Sequence, residues 1–254
     1  ANDTFVADDI DFQKVEEASL FHFGYPPLME ALYANEGEGL MQLMQRVQEK
    51  GAATSLDLAA VDPNAKAGKI RWDIILKKTL PYVDFFVPSI EEICFMIDRD
   101  KFEELQVRAH GGDITDVLDI EKDVKPLAEK CMKLGCKVLL LKCGAKGMYL
   151  QTASKEKLAQ ISSRIELDAD AWADRSIFER SYVPEKILSG TGAGDTSIAA
   201  FLTAVLQKDT PDMCLHLAAA TGASCVAAYD ALSGLKPLDE LRDKIEKGWE
   251  KTCL

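Results

Sequence analysis

The 254-residue sequence predicts an α/β protein with three layers, α/β/α, in which helices cover both faces of a mainly parallel central sheet. Short apolar runs alternate along the chain with longer segments whose apolar residues recur at helical spacing. One of these runs is apolar without interruption, as in strands that are covered on both faces. Strand–helix–strand units with short links favour parallel pairing, so we expect residues 1–254 to form a single domain.

The first predicted strand and helix lie within residues 20–51. The apolar run at 20–23 ends at the Gly-Tyr-Pro-Pro sequence of residues 24–27, which is typical of a turn. Gly51 stands where a helix cap is expected. Apolar residues precede it at helical spacing: Leu40, Leu43, Met44 and Val47.

Three further strands are predicted at residues 54–57, 85–87 and 138–141. A helix at 124–134 leads into the last of them, a Val-Leu-Leu-Leu run. The carboxyl ends of parallel strands lie at one edge of a sheet, where α/β proteins bind ligands. Residues at these ends are therefore expected to share one rim: Asp57, Pro88-Ser89 and Lys142-Cys143-Gly144.

The last quarter of the sequence changes to helix after helix. Helices are predicted at residues 193–207, 211–228 and 238–250. The polar stretch at 168–180, which precedes them, is interpreted as a surface excursion rather than a domain boundary.

Composition and charge limit the function classes. A net charge of −12 argues against nucleic-acid or acidic-membrane partners, which need a basic face, although backbone amides could still hold a small anion. No stretch approaches the roughly 20 apolar residues of a membrane span, and the first residues do not resemble a signal peptide. The seven cysteines include no Cys-x-x-Cys pair, so we expect buried thiols, no zinc site and a cytoplasmic location.

The most informative segment is the glycine-rich turn Ser-Gly-Thr-Gly-Ala-Gly-Asp at residues 189–195, which directly precedes an apolar helix. The first N–H groups of a helix are unpaired and carry the positive end of its dipole. The amides of Gly192, Ala193 and Gly194 are therefore predicted to hold a phosphate. Asp195, on the first helical turn, would orient a hydroxyl for phosphoryl transfer, in which the proton leaves late.

A purely structural interpretation of this segment is a tight turn before a helix with a favourable N-terminal charge. The turn matches neither G-x-x-x-x-G-K-[ST] nor G-x-G-x-x-G. From these residues alone both interpretations stay open.

Four segments, in order, resemble motifs of the ribokinase-like PfkB carbohydrate kinases. Residues 23–25 resemble a strand-end Gly-Tyr turn, and residues 88–92 resemble an N-x-x-E segment. Residues 142–147 resemble the G-x-[KR]-G turn that covers the nucleotide phosphates, and residues 192–195 resemble the motif around the catalytic base. The resemblance covers residues 15–230 and implies a ribokinase-like fold.

The resemblance also implies ATP and Mg²⁺ as cofactors and gives individual residues a role. Asp195 is the implied catalytic base, residues 192–194 are the anion hole, and Glu92 organises the Mg²⁺. The implied nucleotide contacts are Lys142, Gly144, Ala145, Lys146 and Gly147 at the triphosphate and Ala219 and Gly222 near the adenine.

Each of these assignments has a structural alternative. Glu92 could be a helix-start glutamate, Lys146 an exposed turn lysine, and the small residues from 218 to 224 a close helix contact. Ser189 stands where the family has the aspartate that helps to bind a monovalent cation, so activation by such a cation is in doubt. Ser89 replaces the asparagine of N-x-x-E and has a shorter reach.

The resemblance predicts that the N-terminal strands and the small β-sheet lid of the family are absent from this chain, because nothing before residue 20 matches them. It implies an ATP-dependent kinase that phosphorylates a hydroxyl group of a sugar or similar alcohol. A nucleoside or vitamin-precursor kinase and a non-catalytic nucleotide-binding member remain open. A nicotinamide-dependent enzyme would need pyrophosphate at residues 190–194. The expected partner is a small-molecule substrate, and any homodimer would form through the absent lid.

Overall fold

The computed structural model describes residues 2–253, which form a six-stranded sheet with helices on both faces. The strands, in chain order, are β1 (Leu20–Phe23), β2 (Ala53–Leu56), β3 (Phe85–Phe86), β4 (Val138–Lys142), β5 (Gly147–Thr152) and β6 (Ser176–Arg180). They lie in the sheet in this same order. Strands β1 to β4 pair in parallel, whereas β5 and β6 pair antiparallel. The predicted three-layer class with a mainly parallel sheet is confirmed.

The helices connect the strands and then cover the sheet. They are α1 (Phe12–Glu17), α2 (Glu30–Glu49), α3 (Trp72–Thr79), α4 (Ile90–Ile97), α5 (Arg99–Ala109), α6 (Lys125–Lys133), α7 (Lys155–Leu158), α8 (Ala169–Trp172), α9 (Ala193–Leu206), α10 (Pro211–Cys225) and α11 (Leu238–Glu246). Helix α2 is interrupted at residues 34–37, where Asn35 and Glu36 adopt left-handed backbone angles. Predicted helices 124–134 and 193–207 correspond to α6 and α9.

Strand β4 shows how the two helical layers are separated. Leu139 and Leu141 lie in one apolar cluster with α2 to α6, and Val138 and Leu140 lie in a second cluster with α9 to α11. Successive side chains of a strand point to opposite faces, so an unbroken apolar run serves both layers. Because β1 to β4 follow one another and parallel crossovers share one hand, their connecting helices all lie on the same face.

The interpretation of residues 168–180 as a surface excursion is wrong. Asp168 caps α8 by accepting from the N–H groups of Asp170 and Ala171, and Trp172 at the end of α8 is 1 % exposed. The following residues form the edge strand β6, which pairs with β5. The segment reads as polar because an edge strand is half solvated and a short capped helix needs few apolar residues.

The last two helices end earlier than predicted, α10 at Cys225 and α11 at Glu246. Gly248 takes a positive φ of 85°, which ends the helical path. The chain then runs along residues 181–183, which follow β6, and Lys251 forms an antiparallel bridge with Tyr182.

A buried ion pair joins the amino ends of three strands. Asp84, 1 % exposed, lies immediately before β3 and accepts from Lys137 Nζ at 2.7 Å and from the Thr54 N–H at 2.9 Å. Lys137 immediately precedes β4, and Thr54 belongs to β2. The carboxylate therefore fixes the register of these strands at the edge opposite to the rim described below.

Six of the seven cysteines are buried free thiols, as predicted, and Cys253 is exposed. Burial raises the pKa of the Cys143 thiol to about 12, so this thiol is unreactive at neutral pH. Among residues 2–253, no helix combines the length and the apolar character needed to cross a bilayer.

Candidate active site

The carboxyl ends of β2, β3 and β4 meet at one rim, as the sequence predicts. Ser89 forms an isolated parallel bridge with Lys142. The Lys142 Nζ atom lies 2.9 and 3.1 Å from the two carboxylate oxygens of Asp57. The strands thus bring together residues that are 85 positions apart.

The ion pair between Asp57 and Lys142 is shielded from solvent, with side chains 3 % and 12 % exposed. Burial raises the pKa of Asp57 to about 6, and the charge of Glu92 adds to this, although the Lys142 ammonium opposes it. The net charge of this pair at the rim therefore changes as the pH passes through about 6.

This pKa gives a testable pH dependence. The pKa of Asp57 in the folded state, about 6, lies above its ordinary value of 3.8. Protonation of Asp57 therefore stabilises the folded protein. This contribution is complete below pH 3.8 and is lost as the pH rises through about 6. We expect Asp57→Asn to remove that decline. Urea unfolding of both proteins from about pH 4 to 7 measures the difference.

The difference between the two pH profiles isolates Asp57 from the other titrating groups. His22 contributes with the opposite sign, since burial and the Lys142 ammonium lower its pKa and folding therefore loses stability as the pH falls. Parallel pH profiles for the wild type and Asp57→Asn would contradict the assignment.

The glycine-rich turn opens directly into α9, whose first residue is Ala193. Gly192 takes φ = 77°, and a Cβ atom there would lie 2.2 Å from the Cβ atom of Ala231. Only glycine both adopts this positive φ readily and leaves the space beside Ala231 free of a Cβ atom. The turn is therefore built for close approach of the backbone.

The amides of this turn differ in their availability. The Ala193 N–H donates to the Gly190 carbonyl at 3.2 Å, so the structure occupies one of the three predicted anion-hole amides. Within residues 2–253, the N–H groups of Gly192, Gly194 and Asp195 have no backbone acceptor. Three neighbouring amides can thus receive an anion at the positive end of the α9 dipole.

Asp195 is exposed on the first turn of α9, beside these amides. One oxygen of its carboxylate, Oδ1, accepts a hydrogen bond from the Tyr25 hydroxyl. A Cβ atom at Gly194 would lie 3.8 Å from Lys142 Nζ, so the ammonium reaches the start of the helix. A carboxylate, free amides and a cation therefore surround one open corner of the rim.

Tyr25 follows β1 and is a residue that the sequence analysis gives no chemical role. Its backbone is left-handed, with φ = 66° and ψ = 39°. Burial and the hydrogen bond to Asp195 raise the pKa of the phenol well above its ordinary value, as do the charges of Asp57 and Glu92. The hydroxyl therefore stays protonated and remains a donor.

Glu92 lies on the first turn of α4, where it takes part in a capping box. Its Oε2 atom accepts from the Ser89 N–H at 2.7 Å, and the Ser89 hydroxyl accepts from the Glu92 N–H at 3.2 Å. Glu92 therefore has the role at the helix start that was the structural alternative to binding Mg²⁺. The carboxylate nonetheless lies close enough to Asp57 to raise the pKa of that group.

The turn between β4 and β5 covers residues 143–146 and begins beside Lys142. Gly144 and Ala145 are exposed, as a phosphate-contacting turn requires. Gly147 has φ = 130°, and a Cβ atom there would lie 2.0 Å from the Glu179 carbonyl oxygen. The Lys146 ammonium donates to the Leu118 carbonyl at 3.0 Å, so this lysine is engaged by protein rather than free.

A cavity of about 260 Å³ lies beyond the glycine turn. The Leu188 N–H donates to the Val226 carbonyl at 2.8 Å, which joins the segment before the turn to the wall of the cavity. The lining residues are Glu185, Lys186, Ala223, Ser224, Ala227, Ser233, Gly234, Lys236, Glu240, Lys244 and Trp249. Small, polar and aromatic groups therefore converge on one concave space.

The two residues predicted near the adenine do not line this cavity. Ala219 is 1 % exposed, and a Cβ atom at Gly222 would lie 2.6 Å from the hydroxyl oxygen of Ser197. Both belong to the contact between α9 and α10. Ala223 and Ala227, further along the chain, line the cavity and continue the same small-residue pattern.

Magnesium would have to be held jointly with its ligand. Across residues 2–253, no three His, Cys, Asp or Glu side chains are grouped as a preformed metal site. Mg²⁺ commonly takes one or two carboxylates together with substrate phosphates. Asp57, Glu92 and Asp195 are separate carboxylates that all act on the Tyr25 phenol, an arrangement that fits this shared mode.

A model of the pfkB family of carbohydrate kinases matches residues 1–237. An uncharacterized sugar kinase of Archaeoglobus fulgidus is 22 % identical over 234 residues, which cover 92 % of this chain and 71 % of that protein. Arabidopsis thaliana ribokinase is 29 % identical over 115 residues, or 45 % of this chain and 25 % of the plant protein.

Solved structures share the fold at low sequence identity. The structure of Arabidopsis thaliana ribokinase with ribose and ATP has a TM-score of 0.60 at 20 % identity, covering 95 % of this chain and 59 % of that one. An Escherichia coli protein solved with ATP and Mg²⁺ has a TM-score of 0.57 at 18 % identity, covering 95 % and 63 %. This chain thus spans about three fifths of the length of these two solved structures.

Proposed function

The chain belongs to the pfkB family of carbohydrate kinases, and from this premise we propose that it transfers the terminal phosphoryl group of ATP to a hydroxyl group of a sugar or similar small alcohol. The observation that carries the proposal is the corner where Asp195, free backbone amides and Lys142 meet. Phosphoryl transfer depends mainly on positioning and on stabilising charge, and this corner offers both.

Each group at the corner has a proposed part in the reaction. The carboxylate of Asp195 accepts the proton of the acceptor hydroxyl and aligns its oxygen. The N–H groups of Gly194 and Asp195 point at the charge that develops on the transferring group. The Lys142 ammonium adds a positive charge on the opposite side.

Magnesium is proposed as the metal, with Glu92 and Asp57 as the side chains that would help to hold it. When bound, Mg²⁺ would neutralise charge on the phosphates. The similar Escherichia coli protein was solved in complex with ATP and Mg²⁺, which supports the assignment.

We place the nucleoside part of ATP in the 260 Å³ cavity, because the segment before the glycine turn is bonded to its wall and the walls carry an aromatic and several polar groups. Filling the cavity with Ala227→Trp is expected to raise the Kd for ATP at least about tenfold, equivalent to ~1.4 kcal/mol. Isothermal titration measures this. Ala159→Trp, an exposed alanine far from the cavity, is the matched control. Equal affinities for all three proteins would contradict the placement.

The proposed reaction is tested by coupled ADP release with a panel of sugars, nucleosides and vitamin-precursor alcohols. We expect acceptor-dependent turnover with at least one of them. ATP binding without turnover on any acceptor would instead favour a non-catalytic nucleotide-binding protein. Competition by NAD rather than ATP would favour a nicotinamide enzyme.

A further inference from the structure

The hydrogen bond between Tyr25 and Asp195 connects parts of the chain that are 170 positions apart. Tyr25 lies at the carboxyl end of β1, and Asp195 lies on the first turn of α9. The phenol donates to Oδ1, and within residues 2–253 no side chain or backbone group donates to the second carboxylate oxygen, Oδ2. One oxygen is thus held by the phenol, while the other is free to accept a hydrogen bond from a ligand.

Tyr25 makes this contact from an unfavourable backbone conformation. Its left-handed conformation, φ = 66°, is unfavourable for a non-glycine residue. The two prolines that follow, Pro26 and Pro27, are buried and hold the turn in place. The residue is 38 % exposed, so packing in the core does not explain the conformation.

Other charged groups face the same point. Asp57 and Glu92 lie near enough to the phenol to raise its pKa, and the charges of Lys142 and Asp195 act on His22 of β1. Three carboxylates in one corner repel each other, so an unrestrained Asp195 side chain would rotate toward solvent. A neutral donor can hold it without adding charge.

We propose that Tyr25 is a positioning residue for the catalytic base: its hydroxyl binds Oδ1 of Asp195 so that Oδ2 points toward the acceptor hydroxyl. The inference rests on the proposed kinase function and deepens it. Because the proton leaves late in phosphoryl transfer, orientation of the carboxylate matters more than its basicity. A phenol that binds the ionised carboxylate therefore assists the reaction.

The test compares Tyr25→Phe with the wild type on the acceptor found by ADP release. Losing a hydrogen bond to a charged group is expected to lower kcat about 10- to 100-fold. The KM for ATP should change less than about twofold, because Tyr25 does not line the nucleotide cavity. A fall in kcat with an unchanged KM for ATP is the pattern that a residue positioning the base produces.

Tyr82→Phe is the matched control, because Tyr82 lies in the turn before β3, at the opposite edge of the sheet. It should leave kcat and the KM for ATP unchanged. An unchanged kcat in Tyr25→Phe, or a KM for ATP that rises as much as kcat falls, would overturn the positioning role alone. A wild type without turnover on any acceptor would overturn the kinase function, and the proposal for Tyr25 with it.

Discussion

Asp195→Asn is expected to lower kcat by roughly 10²–10⁴-fold, the usual contribution of a general base. Asparagine keeps the size of the side chain but cannot accept the proton of the acceptor hydroxyl. The Kd for ATP should stay within a few-fold of the wild type, because the amides of the turn remain in place. Steady-state kinetics and isothermal titration of the same preparation separate these two effects.

Asp212→Asn provides the control for this experiment. Asp212 occupies the first turn of the neighbouring helix α10 and pairs with Arg175 on the surface. Replacing Asp212 tests whether the loss of an acidic group from the first turn of any helix lowers kcat. We expect kcat to stay unchanged. Loss of ATP affinity in Asp195→Asn, in parallel with kcat, would mean that Asp195 supports the turn rather than the chemistry.

The second large effect concerns stability. Asp84→Ala is expected to lower the free energy of unfolding by about 3–5 kcal/mol, because it leaves the Lys137 ammonium, 6 % exposed, without its partner. It also removes the acceptor of the Thr54 N–H. Urea denaturation measures the change.

An exposed ion pair gives the reference for that value. Asp170→Ala breaks a pair with Lys155 in which both side chains are more than half exposed, and it should cost less than about 1 kcal/mol. If Asp84→Ala were no more destabilising than Asp170→Ala, the buried pair would not fix the strand register as described.

The sequence was informative where local chemistry decides the structure. Apolar runs identified β1 to β4, and the glycines at 190, 192 and 194 identified a helix start open to an anion. It failed at β6 and α8, since a half-solvated edge strand and a four-residue helix carry little apolar periodicity. The antiparallel strand β5 was also missed, because it begins at Gly147, the last residue of the glycine turn that follows β4.

The arrangement of the site could be predicted only in part. The strand ends placed Asp57, Ser89 and Lys142 on one rim, since parallel strands share a carboxyl edge. Nothing local in the sequence pairs Tyr25 with Asp195, because that contact depends on how β1 and α9 pack. The same limit applies to Lys146, whose ammonium binds a distant carbonyl rather than solvent.

The most direct test of the account asks whether the amides at the start of α9 bind the phosphates of ATP. Labelling with [¹⁵N]glycine gives one resonance for each of the 16 glycines, and triple-resonance spectra of the uniformly ¹³C,¹⁵N-labelled wild type assign them. On titration with Mg-ATP, the Gly192 and Gly194 amide resonances should shift at saturation, while Gly51 and Gly135, at the opposite edge of the sheet, stay fixed. Saturable ATP binding that leaves Gly192 and Gly194 unmoved would contradict the account.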